Sequence, residues 1–395
     1  MTVDHVPAGD PTDIADELSR RFRDQHGREP VGVFAAPGRV NLIGEHVDYN
    51  GGKCLPMALP HATYAALAPR EDRTVSVSSR QQDRTWTGSL DALGPGEVDG
   101  WVAYVAGVVW ALQQQGWDLP GLDIVVDSRV PTGAGLSSSA ALECSVALGL
   151  ADVAGVSLDD AARQRLAQAC VRAETDVAGA PTGGLDQTIS LFGQADHALL
   201  LDCRDWTTVQ VPWHPAAHDL ELLVVDTRAS HSLTDGGYGS RRADCEEAAK
   251  QLGVGSLREV TDPEQALARL TDERVRRRAR HVLTEMARVE TAVAQLRADD
   301  YPGLGRSFDA SHDSLRDDFE VTCPELDAVV DTCRAQGALG VRMTGGGFGG
   351  SAIALVPRAK VESTREAVAA VFAEQGWPAP GFLFGRPADG AHRVR

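Results

Sequence analysis

The segment that most narrows the folds open to this chain is residues 131–143, PTGAGLSSSAALE. An apolar stretch at 122–126 predicts a short strand leading into a turn with glycines at 133 and 135. Ser137, Ser138 and Ser139 then open a run of helix formers over 140–153. Strand, glycine-rich turn and helix start together make an anion site. The glycines let backbone N–H groups crowd round a phosphate, and the unpaired amides and dipole of the helix favour negative charge there. A hydroxyl at that point can cap the helix or ligate a Mg²⁺ carried by a nucleotide. Taken alone, the same residues also describe an ordinary turn with a serine cap.

The chain has 395 residues, more than one ordinary core accommodates, and two domains are expected. The boundary falls in the loop around Pro212 and Pro215, giving 1–212 and 213–395. A formal charge of −18 argues against an extended nucleic-acid or anionic-membrane surface, which needs a basic stripe. Positive potential for an anionic substrate must therefore be local. The seven cysteines are scattered without a C-x-x-C pair, which suits reduced thiols in a cytoplasmic protein better than disulfides or structural zinc. No apolar signal segment is visible at the N-terminus, and no run of about 18 apolar residues predicts a membrane span.

Residues 1–12 read as a frayed tail, followed by an amphipathic helix over 13–25 with Ile14, Leu18 and Phe22 spaced by four. A strand over 31–36 runs into Pro37-Gly38. Strands at 63–68 and 74–79 are expected to pair as a hairpin across APREDR. A buried helix follows at 101–115, and a long one at 158–178, capped by Ser157 and delivering Glu174. GAPTGG at 179–184 breaks the chain before Leu185-Asp186-Gln187. Apolar strands are expected at 197–203 and 220–227. The second half carries helices at 239–252, 272–297, 324–336 and 359–375, with strands around a glycine run at 340–356 and a last strand at 382–384. Mixed strands and helices of this kind predict an α+β sandwich. The basic run RVRRRAR at 274–280 reads as a solvated helix face paired with nearby acids.

Several motifs are weighed on chemistry. No Walker A loop is present: Gly52-Lys53 is followed by Cys54, and Val47 stands where the first glycine belongs. GGGFGG at 345–350 matches G-x-G-x-x-G, but the apolar run after it reads as a strand, and a dinucleotide fingerprint needs a helix. That glycine run instead predicts a hairpin able to approach the loop at 133–139. Arg39, Glu45, His46 and Asp48 crowd into ten residues of RVNLIGEHVDYNGG. Their spacing does not suit zinc, whereas convergent carboxylates and polar groups suit a polyhydroxylated ligand, or merely a surface turn. Asp186 fits a helix N-cap or a base beside an acceptor hydroxyl, oriented by Arg39, whose charge favours the carboxylate form. Glu174 fits a helix-surface acid or a metal ligand beside Ser139.

These stretches together resemble the galactokinases of the GHMP small-molecule kinase superfamily. GRVNLIGEHVDYNGG (38–52) resembles the galactokinase signature, PTGAGLSSSAALE the superfamily phosphate loop, and VRMTGGGFGGSAIAL (341–355) its third motif. Order and spacing also match, over about residues 30–390. The resemblance implies a two-domain GHMP fold, an N-terminal mixed sheet with helices and a C-terminal α/β sandwich of ferredoxin-like type. It implies ATP-dependent phosphorylation of the C1 hydroxyl of D-galactose, the entry step of galactose catabolism, with ATP and Mg²⁺.

On individual residues, the resemblance implies that Asp186 is the catalytic base and that Arg39 helps stabilise the transition state. Glu45, His46, Val47 (through its backbone), Asp48, Gly183 and Tyr238, which follows His231 by seven, would contact the sugar. Gly133, Ala134, Gly135, Leu136, Ser137, Ser138 and Ser139 would hold the ATP phosphates, with Ser79 on the adenine side. Ser139 and Glu174 would bind Mg²⁺. Thr182 and Gly184 are smaller than their counterparts in many members and leave pocket volume open. A monomer acting on small molecules, without nucleic acid or membrane, is expected. The alternatives are a kinase for N-acetylgalactosamine or arabinose, and a sensor that binds galactose and ATP without catalysis.

Overall fold

The computed structural model describes residues 4–229 and 237–395. In chain order the first half comprises β1 (Asp4–His5), α1 (Pro11–His26), β2 (Gly32–Asn41), β3 (Lys53–Cys54), β4 (Pro56–Arg70), β5 (Thr74–Ser79) and β6 (Trp86–Ser89). It continues with α2 (Val102–Gln114), β7 (Gly121–Ser128), α3 (Ser138–Val153), α4 (Asp160–Arg172), α5 (Leu185–Phe192), β8 (His197–Asp202) and β9 (Thr207–Pro212). The second half comprises β10 (Leu220–Asp226), α6 (Gly237–Leu252), α7 (Pro263–Arg269), α8 (Glu273–Arg297), α9 (Tyr301–Ser314) and α10 (Pro324–Ala335). It ends with β11 (Gly340–Thr344), β12 (Ser351–Pro357), α11 (Val361–Gln375), β13 (Gly381–Phe384) and β14 (His392–Arg393).

The first sheet runs β14-β2-β4-β7-β5-β6. Helix α1 packs Ile14, Leu18 and Phe22 on one face, and α2 and α3 cover the other. Burial on both faces explains why β2 and β4 lack the alternation that marks a half-exposed strand. The expected 63–79 hairpin does not form. β7 inserts between β4 and β5, antiparallel to the first and parallel to the second, so 71–73 end one strand and begin another without pairing them. β2 also runs past Pro37-Gly38, because a register shift between Pro37 and Arg39 puts the proline at a bulge, where a missing N–H is tolerated.

The second sheet runs β1-β13-β10-β12-β11. Its last four strands are antiparallel, with helices crossing from β10 to β11 and from β12 to β13, which is the ferredoxin-like order. Leu222, Val224, Ile353 and Leu355 share one core with Val40, Leu42 and Met57 of the first half and with Ala134 and Leu136 of the glycine-rich loop before α3. The loop is thus anchored by apolar side chains at the junction of the halves.

The ends of the chain exchange sides. Asp4 and His5 pair with β13, so the described part of the expected frayed tail, residues 4–12, is tied down; Asp10 caps α1 by accepting from Thr12 N–H at 2.8 Å. At the other end β14 pairs with β2. A single cut at 212/213 therefore leaves one strand of each half on the wrong side. The long helix expected at 158–178 starts at Asp160, capped by Asp159 on Ala162 N–H at 2.7 Å rather than by Ser157, and passes into a π-helical turn over Ala173–Val177. α9 went unforeseen because YPGLG looks like a breaker. Pro302 sits in the first turn, where its missing N–H costs nothing, and a side chain at Gly305 would meet the Leu339 carbonyl at 2.1 Å. The basic run on α8 is paired with Asp244, Glu273, Asp318 and Glu320, although Arg278 within it is buried.

Candidate active site

Gly133 (φ 79°), Gly135 (φ 69°) and Ser137 (φ 60°) all adopt left-handed backbone, which folds residues 133–139 into a tight cradle at the start of α3. Ser137 occupies the cap position without capping. Its hydroxyl instead donates to Asp186 Oδ2 at 2.6 Å. Arg39 holds the same carboxylate in a fork, Nε to Oδ1 at 2.8 Å and Nη2 to Oδ2 at 3.0 Å. A second amine of its guanidinium donates to the Gly135 carbonyl, so Arg39 joins the acid to the cradle. The bulge in β2 aims Arg39 here, and its backbone N–H donates to the Leu136 carbonyl at 3.0 Å. Asp186 lies in the first turn of α5 and is not its cap, since Gly184 occupies that place. The helix N-terminus favours its negative charge.

The 345–350 glycine run closes over the cradle from the opposite side. Ser351 Oγ donates to the Ala134 carbonyl at 2.7 Å. A Cβ on Gly345 would stand 3.0 Å from the Gly135 carbonyl, and one on Gly350 3.2 Å from that of Ala134. Glycine permits this approach at φ values of 90° and 79°. Ser79 lies at the end of β5, opposite Val126 of β7, from which the cradle departs; its hydroxyl donates to Gln81 Oε1 at 3.0 Å.

Asp48 lies near Asp186, and Glu45 near Arg39. A Cβ on Gly183 would fall 1.9 Å from Asp48 Oδ2, so these two are in direct contact. Burial pushes the Asp48 carboxyl up to about 6, and the nearby Asp186 charge adds to the shift. Glu45 accepts from Gly345 N–H at 2.6 Å and from Asn41, and burial raises its pKa despite Arg342 nearby. His46 is driven down to about 3 by burial and is neutral. Its Nε2 faces the Gly346 carbonyl at 3.1 Å, an acceptor, so Nε2 carries the proton and Nδ1 accepts from the Tyr49 hydroxyl at 3.0 Å. Both ring nitrogens are thereby engaged, which suits His46 to shaping the pocket wall. The Tyr238 ring packs 5.4 Å from His46 and 5.7 Å from Tyr49. His231 lies outside the described residues. Val47 is a core side chain, and its carbonyl accepts from Asn50 and Gly52 N–H. The space beside Gly184, which the sequence left undetermined, is filled by the Trp206 ring, 2.2 Å from where a Cβ would stand.

Behind Asp186, Glu174 is pushed up to about 7 by burial and by the Asp186 charge, while Ser139 and Gln187 hydrogen-bond to it. Gln187 Nε2 bridges Glu174 and Glu143, the latter at 3.1 Å. Burial holds the Glu143 pKa well above the carboxylate range. Glu143 Oε1 and Gln187 Oε1 are both buried without a partner. Glu143 and Gln187 were missed as supports, although both lie inside the motifs. Glu285 had no such signal: it sits on α8, accepts from Gly44 N–H at 2.9 Å and Ser311 at 2.7 Å, and steadies the turn before Glu45.

Among the described residues no group of three or more His, Cys, Asp or Glu side chains could hold a metal by itself, so Glu45, His46 and Asp48 are not a metal centre. Ser139 and Glu174 offer two hard oxygen donors in a pocket rich in carboxylates, which fits an Mg²⁺ that keeps most of its shell as water and phosphate.

Comparison with known proteins agrees with this geometry. The galactokinase galactose-binding signature matches residues 20–69, the GHMP kinase N-terminal domain 103–194 and the GHMP kinase C-terminal domain 292–374. The chain is 50% identical over 385 residues to a Streptomyces coelicolor galactokinase, covering 96% of this chain and 99% of that one. It is 45% identical over 350 residues to a Homo sapiens galactokinase, covering 86% and 87%. A Lactococcus lactis galactokinase solved with galactose superposes with a TM-score of 0.90 at 33% identity, covering 96% of this chain and all of that one. A Methanococcus jannaschii mevalonate kinase shares the fold alone, with a TM-score of 0.62 at 15% identity over 90% and 98% of the two chains. Signature, length and structure agree: the chain belongs to the galactokinase family of GHMP kinases.

Proposed function

We propose that this chain phosphorylates the C1 hydroxyl of D-galactose with ATP, giving galactose 1-phosphate and ADP. The observation that carries the reading is the Asp186 carboxylate, held by Arg39 and Ser137 at the lip of the glycine cradle and adjacent to Asp48. Backbone amides of 133–139 hold the triphosphate. Glu45, Asp48, Gly183 and Tyr238 line the sugar side, and Ser79 the adenine side. Asp186 takes the C1 proton on a free lone pair as the C1 oxygen bonds to the γ-phosphorus and the bond to the β-phosphate oxygen breaks. Arg39 orients Asp186 and faces the charge that develops on the transferring group. Ser139 and Glu174 would hold Mg²⁺, which when bound offsets charge on the phosphate oxygens.

Positioning and electrostatic help of this kind are what phosphoryl transfer chiefly needs. A sensor that only binds its ligands has no use for a carboxylate tied to the phosphate cradle, so catalysis is favoured. Reduced thiols and an acidic surface suit a cytoplasmic monomer, and among the described residues no helix is long and apolar enough to cross a membrane. ADP release from ATP, measured with galactose, N-acetylgalactosamine and arabinose, tests the reading. Galactose should give a kcat/KM at least about tenfold above the others, a gap of about 1.4 kcal/mol. Release with none of the sugars, or a preference for another, overturns it.

A further inference from the structure

Two cysteines beside the sugar turn carry chemistry that the transfer reaction does not use. β3 and β8 pair antiparallel, Lys53 opposite Asp202 and Cys54 opposite Leu201, and Cys203 N–H donates to the Gly52 carbonyl at 2.9 Å. Cys54 and Cys203 are therefore diagonal neighbours on one face of this ribbon, and their Sγ atoms stand 3.9 Å apart. Cys54 is fully buried, whereas Cys203 is partly open to solvent. β3 is a two-residue strand at the edge of its sheet, so it can yield more easily than a central strand. Closing the pair to a disulfide asks the sulfurs to approach by about 2 Å.

What β3 holds makes such a shift consequential. The Cys54 thiol donates to the Gly44 carbonyl at 3.3 Å. Leu55 N–H donates to Ile43 at 3.0 Å, Gly52 N–H to Val47 at 2.8 Å and Gly51 N–H to Asp48 at 3.0 Å. The strand and the Glu45–Asp48 turn are therefore laced together, and the thiol itself is one of the ties.

We propose that Cys54 and Cys203 form a reversible disulfide on exposure to a hydroperoxide, and that the bridge weakens binding of the acceptor sugar. Cys203, the accessible sulfur, attacks the peroxide oxygen; the O–O bond breaks, leaving a Cys203 sulfenic acid and one alcohol or water. The Cys54 sulfur then displaces the hydroxyl from Cys203, the S–S bond forms, and a second molecule, water, departs. Two thiols have lost two hydrogens and one hydroperoxide has been reduced. Burial pushes the Cys54 thiol up and shields it from peroxide, so the first step falls to the more open Cys203, and Cys54 enters only because its sulfur already stands 3.9 Å away. The Gly44 tie is lost with the thiol hydrogen, and the end of β3 is drawn toward β8. The effect on sugar rests on reading residues 45–48 as the sugar contact.

The test treats the full chain with hydrogen peroxide and maps linked peptides by mass before and after dithiothreitol. A Cys54–Cys203 peptide should appear, with galactose KM raised about tenfold, ATP KM within about twofold, and both restored by reductant. Cys203→Ser should keep its untreated KM under peroxide. Cys54→Ala, which lacks the Gly44 tie from the start, should leave a dimedone-trappable sulfenic acid at Cys203 with no further rise of galactose KM on peroxide treatment. Absence of the linked peptide, an unchanged galactose KM in the linked protein, or equal sensitivity of Cys203→Ser overturns the proposal. Direct galactose titration of Asp48→Ala, an independent experiment, separates this from failure of the sugar-contact reading.

Discussion

Asp48 carries opposite obligations to binding and to stability. In the sugar contact proposed above, its carboxylate must be ionised to accept strongly from hydroxyls, yet burial holds its pKa at about 6 in the fold. Galactose KM should therefore rise as pH falls from 7 to 5. Stability runs the other way. A folded pKa above the ordinary 3.8 means that ionised Asp48 opposes folding; the penalty is complete above about pH 6 and vanishes below about pH 4. Asp48→Asn should raise Tm at pH 7.5, and the gain should fade as pH approaches 4; a gain independent of pH would contradict this. Asp48→Ala should weaken galactose by roughly 2 kcal/mol, about thirtyfold, while ATP affinity changes little; equal losses in calorimetry would argue against a sugar contact. Gly183→Ala, whose methyl would overlap Asp48 Oδ2, should raise galactose KM by a similar factor. At this scale the motif residues were legible because chemistry fixes their types. The partners of His46 were not, since its tautomer depends on Gly346, 300 residues away.

Among the elements, the cradle depends on the turn that faces it. Gly350 has φ 79°, and a Cβ there would press on the Ala134 carbonyl. Gly350→Ala should cost about 1–2 kcal/mol of backbone strain and raise ATP KM more than galactose KM. Steady-state kinetics with each substrate varied checks this, and a larger effect on galactose would contradict it. Strand–loop–helix over 121–153 was readable because local turn chemistry and helix propensity act in the same direction. β9 and the insertion of β7 between β4 and β5 were not, because pairing between distant strands leaves no local trace in the sequence. α9 was hidden for a related reason: Gly305 serves close packing against Leu339 and Gly340 and Gly303 makes room for the Asp300 cap, and no local signal separates such glycines from turn glycines.

Across the whole molecule, each half holds an end of the other. β14 pairs with β2, Gly390 and Ala391 donate to the Gly193 and Ser190 carbonyls, each at 2.7 Å, and Arg163 reaches the Ala391 carbonyl at 3.0 Å. Removing residues 390–395 should cost about 1–2 kcal/mol and lower Tm by about 1–3 °C for a chain of this size; an unchanged calorimetric midpoint would show the crossing strand to be dispensable. The same architecture brings Asp186 to Arg39, 147 positions away, and to Ser137, 49 away. That meeting is tested most directly by Asp186→Asn, with turnover measured by ADP release and galactose affinity by calorimetry. Turnover should fall by about 10²-fold or more while galactose affinity stays within about twofold. Turnover near that of the unaltered protein would contradict the account.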